Sequence, residues 1–266
     1  MPGAVTDRVT SADGTRIVFS RSGAGPAVIL VHGTFTERTH PTLSGVAAAM
    51  APWFTMINYD RRGRGDSGNT EPYAVEREIE DLAALVEAAG GSAMVFGGSS
   101  GAALVLEAAA RNPEITKLAA WEPPYHVDDS APSLPDDFAA RLDALVKAGR
   151  RGDAVEMYMV EAAGMPAGAI PAMRGAPSWS DSEKAAHTLA YEAAVMGPGN
   201  ALPAARLSGI TQPVLVLNGG SSPAWMINAG QAVAAAIPGT VYRVLQGQTH
   251  NVSPEALVPE LLEFFS

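Results

Sequence analysis

The stretch Val95-Phe96-Gly97-Gly98-Ser99-Ser100-Gly101-Ala102-Ala103 decides how this chain is read. The apolar run from Ala93 to Phe96 has the composition of a buried strand, and the alanine-rich run from Ala102 to Arg111 that of a helix. Between them stands Gly97-x-Ser99-x-Gly101, a G-x-S-x-G pattern in the strand–turn–helix setting that gives it meaning. So sharp a turn forces strained backbone angles on the serine, and its neighbours must lack bulk. It lifts the hydroxyl above the sheet and aims the first free N–H groups of the helix at the point where an oxyanion would develop. Gly97 and Gly101 favour Ser99 as the nucleophile over Ser100, which has Gly98 and Ala102 at the matching positions. A flexible glycine–serine loop is the plainer alternative, but it leaves the apolar runs on both sides unexplained.

Working outward, strands alternate with helices, the rhythm of a mostly parallel α/β sheet. Residues 5–20 suggest a hairpin about Ala12-Asp13-Gly14. Ala27 to Val31 is a continuous apolar strand running into His32-Gly33-Thr34-Phe35, followed by a helix over 42–51 and a strand from Phe54 to Tyr59. The loop Asp60-Arg61-Arg62-Gly63-Arg64-Gly65-Asp66-Ser67 lacks a phosphate-binding pattern and is expected to be structural, crossed by buried Arg–Asp pairs. An amphipathic helix from Tyr73 to Ala89 precedes the Ser99 turn, and a strand from Lys117 to Trp121 follows it. From 123 to 207 no strand is convincing. Helices over Asp136–Ala148, Asp153–Ala163 and Asp181–Met196 suggest a helical cap (123–207) inserted into a core made of 1–122 and 208–266. The core resumes with strand Pro213–Leu217, helix Pro223–Ile237, strand Thr240–Leu245 and helix Pro254–Phe265.

Composition limits the partners. With 266 residues and 47% apolar content the chain can bury a sizeable core. A net charge of −10 argues against nucleic acid and anionic membrane surfaces. There is no cysteine, hence no disulfide and no thiolate metal site. The start, Met1 to Asp7, lacks the basic and apolar segments of a signal peptide, and no run is long enough to span a membrane, so a cytoplasmic protein is expected.

A serine needs a base, usually a histidine held by a carboxylate. Of His32, His40, His126, His187 and His250, only His250 follows the last strand in a loop that reaches the carboxyl edge of the sheet, where ligands of such sheets bind. The acid is found by exclusion. The loop after Leu217, Asn218-Gly219-Gly220-Ser221-Ser222, holds no carboxylate, and none occurs from Ala193 to Pro254. Glu122, just beyond the preceding strand in Trp121-Glu122-Pro123-Pro124, is therefore expected to serve, with Asp128, Asp129 or a Ser–His dyad as alternatives. Pro123 should bias Glu122 toward an extended backbone. The oxyanion donors are expected to be the N–H of Ser100 and that of Thr34. Phe35, Met157, Trp179, Tyr191 and Met196 are the expected apolar lining of a substrate pocket between cap and core.

His32-Gly33, the 60–67 loop, Gly97-x-Ser99-x-Gly101 and Gly247-Gln248-Thr249-His250 together resemble the α/β-hydrolase superfamily over essentially the whole chain. The resemblance implies an eight-stranded, mostly parallel sheet, a cap after strand six, and nucleophilic catalysis without metal or cofactor. The acid is missing after strand seven. In this the chain is similar to the branch that contains the zearalenone lactonase, where a glutamate follows strand six, and Glu122 matches that placement. A serine nucleophile separates it from the dehalogenase and epoxide hydrolase branches. The function implied is a serine hydrolase of an apolar small-molecule ester or lactone. Thioester or carbon–carbon bond cleavage, a cofactor-free perhydrolase, and a ligand-binding or signalling protein without turnover stay open. No nucleic-acid or membrane partner is expected, and a homodimer is allowed.

Overall fold

Continuous apolar runs become inner strands because both faces of a parallel sheet are covered. The computed structural model describes residues 4–266; residues 1–3, on which the targeting expectation partly rests, lie outside the described residues. The hairpin is β1 (Val5–Thr10) and β2 (Arg16–Ser22). The remaining strands are β3 (Ala27–Val31), β4 (Thr55–Tyr59), β5 (Ala93–Gly98), β6 (Ile115–Trp121), β7 (Val214–Gly219) and β8 (Val241–Leu245). They form one eight-stranded sheet in the order β1-β2-β4-β3-β5-β6-β7-β8. From β4 to β8 every pairing is parallel. Only the two pairings of β2, with β1 and with β4, are antiparallel. The chain leaves β3 to one side to make β4 and returns on the other to make β5, so strand order reverses between β3 and β5. Such a reversal opens a crevice at the carboxyl ends of the strands.

Helices cover both faces. On one side α1 (Pro41–Met50) packs with the terminal helix over Met50, Met56, Phe96 and Leu217. On the other, α2 (Val75–Ala88) and α3 (Ser100–Ala109) cover Ile29, Val31, Ile57 and Val95. Every residue of α3 is buried, which explains its small, apolar composition.

Between β6 and β7 the chain is helical: α4 (Phe138–Lys147), α5 (Arg151–Met157), α6 (Ile170–Arg174), α7 (Trp179–Ala185), α8 (Leu189–Met196) and α9 (Ala204–Leu207). Then follow α10 (Ala224–Ala236) and α11 (Pro254–Phe265). The insert has its own apolar cluster, with Phe138, Leu142, Val155, Trp179 and Leu189 at its centre. Two expected helices are interrupted. The one over 181–196 is broken at Ala186–Thr188, where the Thr188 hydroxyl donates to the Ala185 carbonyl at 2.8 Å and tightens the turn. The one over 153–163 widens into a π-helical turn at Tyr158–Ala162.

The 60–67 loop is crossed by buried ion pairs. Arg62 meets Asp81 at 2.7 Å and Asp13 at 2.9 Å, and Arg38 pairs with Asp60. Two partners are glutamates: Arg61 meets Glu78 at 2.7 Å and Glu192 at 3.2 Å, and Arg64 pairs with Glu192. Glu192 lies on α8, so these pairs join the insert to the core.

Candidate active site

Register sets the site. Val31 pairs with Gly97, Gly98 with Trp121, and Trp121 with Leu217. The ladder continues one step past the strands: Ser99 N–H donates to Trp121 O at 2.8 Å and Glu122 N–H to Leu217 O at 3.0 Å. Ser99, Glu122 and Asn218 therefore stand side by side at the carboxyl ends of β5, β6 and β7.

The turn at Ser99 is as tight as its glycines suggest. Ser99 has φ 56° and ψ −127°. A Cβ on Gly97 would lie 2.3 Å from Gly101 O, and one on Gly101 would lie 2.5 Å from Val31 O. A Cβ on Gly33 would lie 2.9 Å from the Ser99 Cβ, so the loop after β3 touches the Ser99 turn directly. Four non-glycine residues among those described have positive φ: Phe35 (61°), Ser99 (56°), Glu122 (45°) and Asn200 (52°). Three of the four are candidate site residues. Such angles persist where the surroundings over-determine them, and they cluster at functional sites.

Glu122 and His250 meet. The Glu122 Oε2 lies 2.7 Å from His250 Nδ1, and Oε1 accepts from Gly219 N–H at 2.8 Å. The Glu122 side chain is fully buried, while that of His250 is 35% exposed. Burial pushes the Glu122 carboxyl up, but the imidazole, the Ser222 hydroxyl and the Gly219 N–H outweigh it and hold the group below its ordinary value. The His250 loop is tied down by Trp121 Nε1–H donating to His250 O at 3.0 Å and by Ser221 N–H donating to Gln248 O at 2.9 Å. Gly219 allows this approach, since a Cβ there would lie 2.4 Å from Gln248 O. The extended backbone expected of Glu122 before Pro123 does not form. Its φ of 45° is held by the Leu217 ladder bond and by the carboxylate's partners, which override the local preference. Asp128 is exposed and engaged with Ser130 and Asn228, away from His250, and Asp129 is also exposed.

The other expected residues divide. The hydroxyls of Thr34 and Ser100 lie 3.2 Å apart, so the two oxyanion candidates are in contact. Phe35 packs against the apolar cluster of the insert, to which Met157 and Trp179 belong. Tyr191 and Met196 serve elsewhere. Tyr191 stacks on Tyr73 at 3.8 Å and bonds Asn69 and Glu71, while Met196 joins the core that includes α3. His32 is buried, with Nε2 2.6 Å from Asn58 Oδ1, and burial lowers its pKa to about 3, so it is a neutral packing residue. Sequence reasoning missed Tyr158, whose hydroxyl lies 3.0 Å from Thr34 Oγ1. Among the described residues no cluster of three or more His, Asp or Glu converges as metal ligands would, and no helix is long and apolar enough to cross a membrane.

The model of the alpha/beta hydrolase family matches residues 28–260, which include every residue of the site just described. The chain belongs to the α/β hydrolase family. An α/β hydrolase from Sphaerobacter thermophilus DSM 20745 is 54% identical, with 98% of this chain and 100% of that one covered and a TM-score of 0.92. The uncharacterized hydrolase YraK of Bacillus subtilis (strain 168) is 36% identical over 105 residues, and the match spans 38% of each protein. A thermophilic esterase from Thermogutta terrifontis is 20% identical, with 98% of each chain covered and a TM-score of 0.74, a likeness of fold. The chain is a hydrolase of this family, with esterases among the proteins that share its fold.

Proposed function

We propose that this α/β hydrolase is a serine hydrolase that cleaves a neutral, apolar carboxylic ester or lactone through an acyl-enzyme. Ser99 Oγ attacks the carbonyl carbon while His250 Nε2 takes its proton. Glu122 holds His250 with the proton on Nδ1 and stabilises the imidazolium that forms. The N–H groups of Ser100 and Thr34 receive the oxyanion. His250 then protonates the leaving alkoxide, and water activated by the same imidazole releases the acid. For a lactone the alkoxide and the acyl group belong to one molecule.

The observation that carries this reading is the 2.7 Å contact between His250 Nδ1 and a fully buried carboxylate just past the end of β6, one strand from Ser99. On this reading the chain falls with the zearalenone lactonase-like branch. The paired arginines of the 60–67 loop, with Arg38, favour a neutral substrate. Arg38, Arg61, Arg62 and Arg64 are each paired with a carboxylate of the protein, which leaves none of them to hold a carboxylate of the substrate.

The test is Ser99→Ala beside Ser100→Ala, assayed with short p-nitrophenyl esters and a fluorophosphonate probe. Ser99→Ala should lose about 10⁴-fold or more in kcat and all labelling, with the fold intact. Ser100→Ala should stay within about tenfold, since only its backbone donor acts. An active Ser99→Ala enzyme, or an unlabelled wild type, overturns the proposal.

A further inference from the structure

We infer that Tyr158 is a positioning residue of the oxyanion hole: from the π-helical turn of the insert its hydroxyl holds Thr34 beside Ser100. The inference rests on the serine hydrolase reading. It adds that the hole is completed by the insert and not by the core alone.

The geometry is a chain of three hydroxyls. Tyr158 Oη lies 3.0 Å from Thr34 Oγ1, which lies 3.2 Å from Ser100 Oγ. Thr34 and Ser100 are the two residues whose N–H groups would receive the oxyanion, and Tyr158 grips the one that no helix or strand holds. Ser100 is fixed as the first residue of α3, whereas Thr34 sits in a loop. The tyrosine also braces that loop by packing. Its ring stands edge-on to Phe35 at 5.9 Å and 85°, and Phe35 is the residue with φ 61°. Burial raises the phenol above its ordinary pKa, so it remains a neutral hydroxyl.

Tyr158 begins the π-helical turn. An α-helical continuation would pair Tyr158 O with Ala162 N–H; instead Ala163 N–H donates to Tyr158 O at 3.1 Å. The extra residue re-aims the side chains that follow, and such turns occur most often at functional sites.

The other flank of the loop is tied to the insert as well. Arg64, paired with Glu192 of α8, donates to the Gly33 carbonyl and to that of Thr36 at 3.3 Å. Thr34 is thus bracketed by two anchors that both lead into the insert. Displacing an oxyanion donor by a fraction of an ångström weakens transition-state binding far more than it weakens substrate binding.

The experiment is a double-mutant cycle of Tyr158→Phe and Thr34→Val, read by kcat, KM and the rate of fluorophosphonate labelling. Tyr158→Phe should lower kcat and the labelling rate together by roughly tenfold, the worth of one buried hydrogen bond, with KM within about twofold. Thr34→Val should do the same, and Thr34→Ser should retain activity because it keeps the hydroxyl. The double variant should be no worse than Thr34→Val alone, because Tyr158 acts through Thr34. Losses that multiply, or a raised KM at unchanged kcat, overturn the inference, since Tyr158 would then touch substrate or merely support the fold. A wild type that labels and turns over, beside a Tyr158→Phe enzyme equal to it, overturns the inference and leaves the hydrolase reading standing. A wild type that does neither removes that reading first.

Discussion

Glu122→Gln keeps the volume of the side chain and removes its charge, and the structure says what each orientation of the new amide would meet. Glu122 accepts on both oxygens: from His250 Nδ1–H on Oε2, and from Gly219 N–H at 2.8 Å and Asn218 Nδ2–H at 3.5 Å on Oε1. An amide has one oxygen. If that oxygen stays on His250, the NH2 group confronts the Gly219 N–H, donor against donor, in a fully buried site. If the oxygen stays on Gly219, the NH2 group donates to Nδ1 and drives the imidazole proton to Nε2, where it blocks acceptance of the Ser99 proton. The backbone donor cannot move, because Gly219 ends β7, paired with Leu245 of β8 and packed against the Gln248 carbonyl. The second orientation should therefore prevail, and kcat should fall by about 10²- to 10⁴-fold, the range expected for a triad acid that sets the tautomer. That corresponds to about 2.7–5.4 kcal/mol of transition-state stabilisation. The assay is steady-state hydrolysis of p-nitrophenyl butyrate, with thermal unfolding measured on the same samples. A kcat within tenfold of wild type beside a large loss of melting temperature would refute the reasoning and reduce Glu122 to a structural ion pair.

The same variant makes a prediction about pH. Glu122 is held below its ordinary value of 4.5, so its contribution to stability is full above that value and is lost as pH falls through the folded-state pKa. In urea titrations the stability gap between wild type and Glu122→Gln should close as pH falls below about 4.5; a gap that persists undiminished in strong acid would contradict this. Glu192→Gln removes a carboxylate shared by two buried arginines. It should cost about 3–5 kcal/mol of unfolding free energy, because Arg64 is left uncompensated. A loss under about 1 kcal/mol in the same titration would show that water reaches the pair.

What the sequence disclosed follows from how local each constraint is. Gly97 could be read because the clash that forbids its Cβ lies inside the turn, at Gly101 O, whereas Gly101 is held by the distant Val31 O and could be read only as part of the G-x-S-x-G pattern. The strands could be read because apolar runs such as Ala27–Val31 have no other use. Glu122 was reachable only by elimination, from the bare loop after Leu217, and its backbone angle was misjudged because the bonds that set it come from β7 and His250. Tyr158 left no trace. A π-helical turn carries no residue signature, and its partner Thr34 lies 124 positions away. The same holds for Glu192, whose bond to Arg61 spans 131 positions. For the same reason the spacing of Tyr191 and Met196 does not disclose that Tyr191 stacks on Tyr73 and that Met196 packs in the core that includes α3.

The left-handed angles of Phe35, Ser99 and Glu122 have a consequence for engineering. Each such residue sits roughly 1–3 kcal/mol above a relaxed backbone. Together that is a sizeable fraction of the ~5–15 kcal/mol by which an ordinary domain outlasts its unfolded chain. Glycine relieves the tension at any of the three. At 35 and 122 the lost packing and the lost carboxylate bonds oppose that relief, so a library sorted by heat resistance alone would drift toward glycine at 99 and return robust, inert proteins. Sorting on turnover after heating is the selection that would keep the Ser99 side chain.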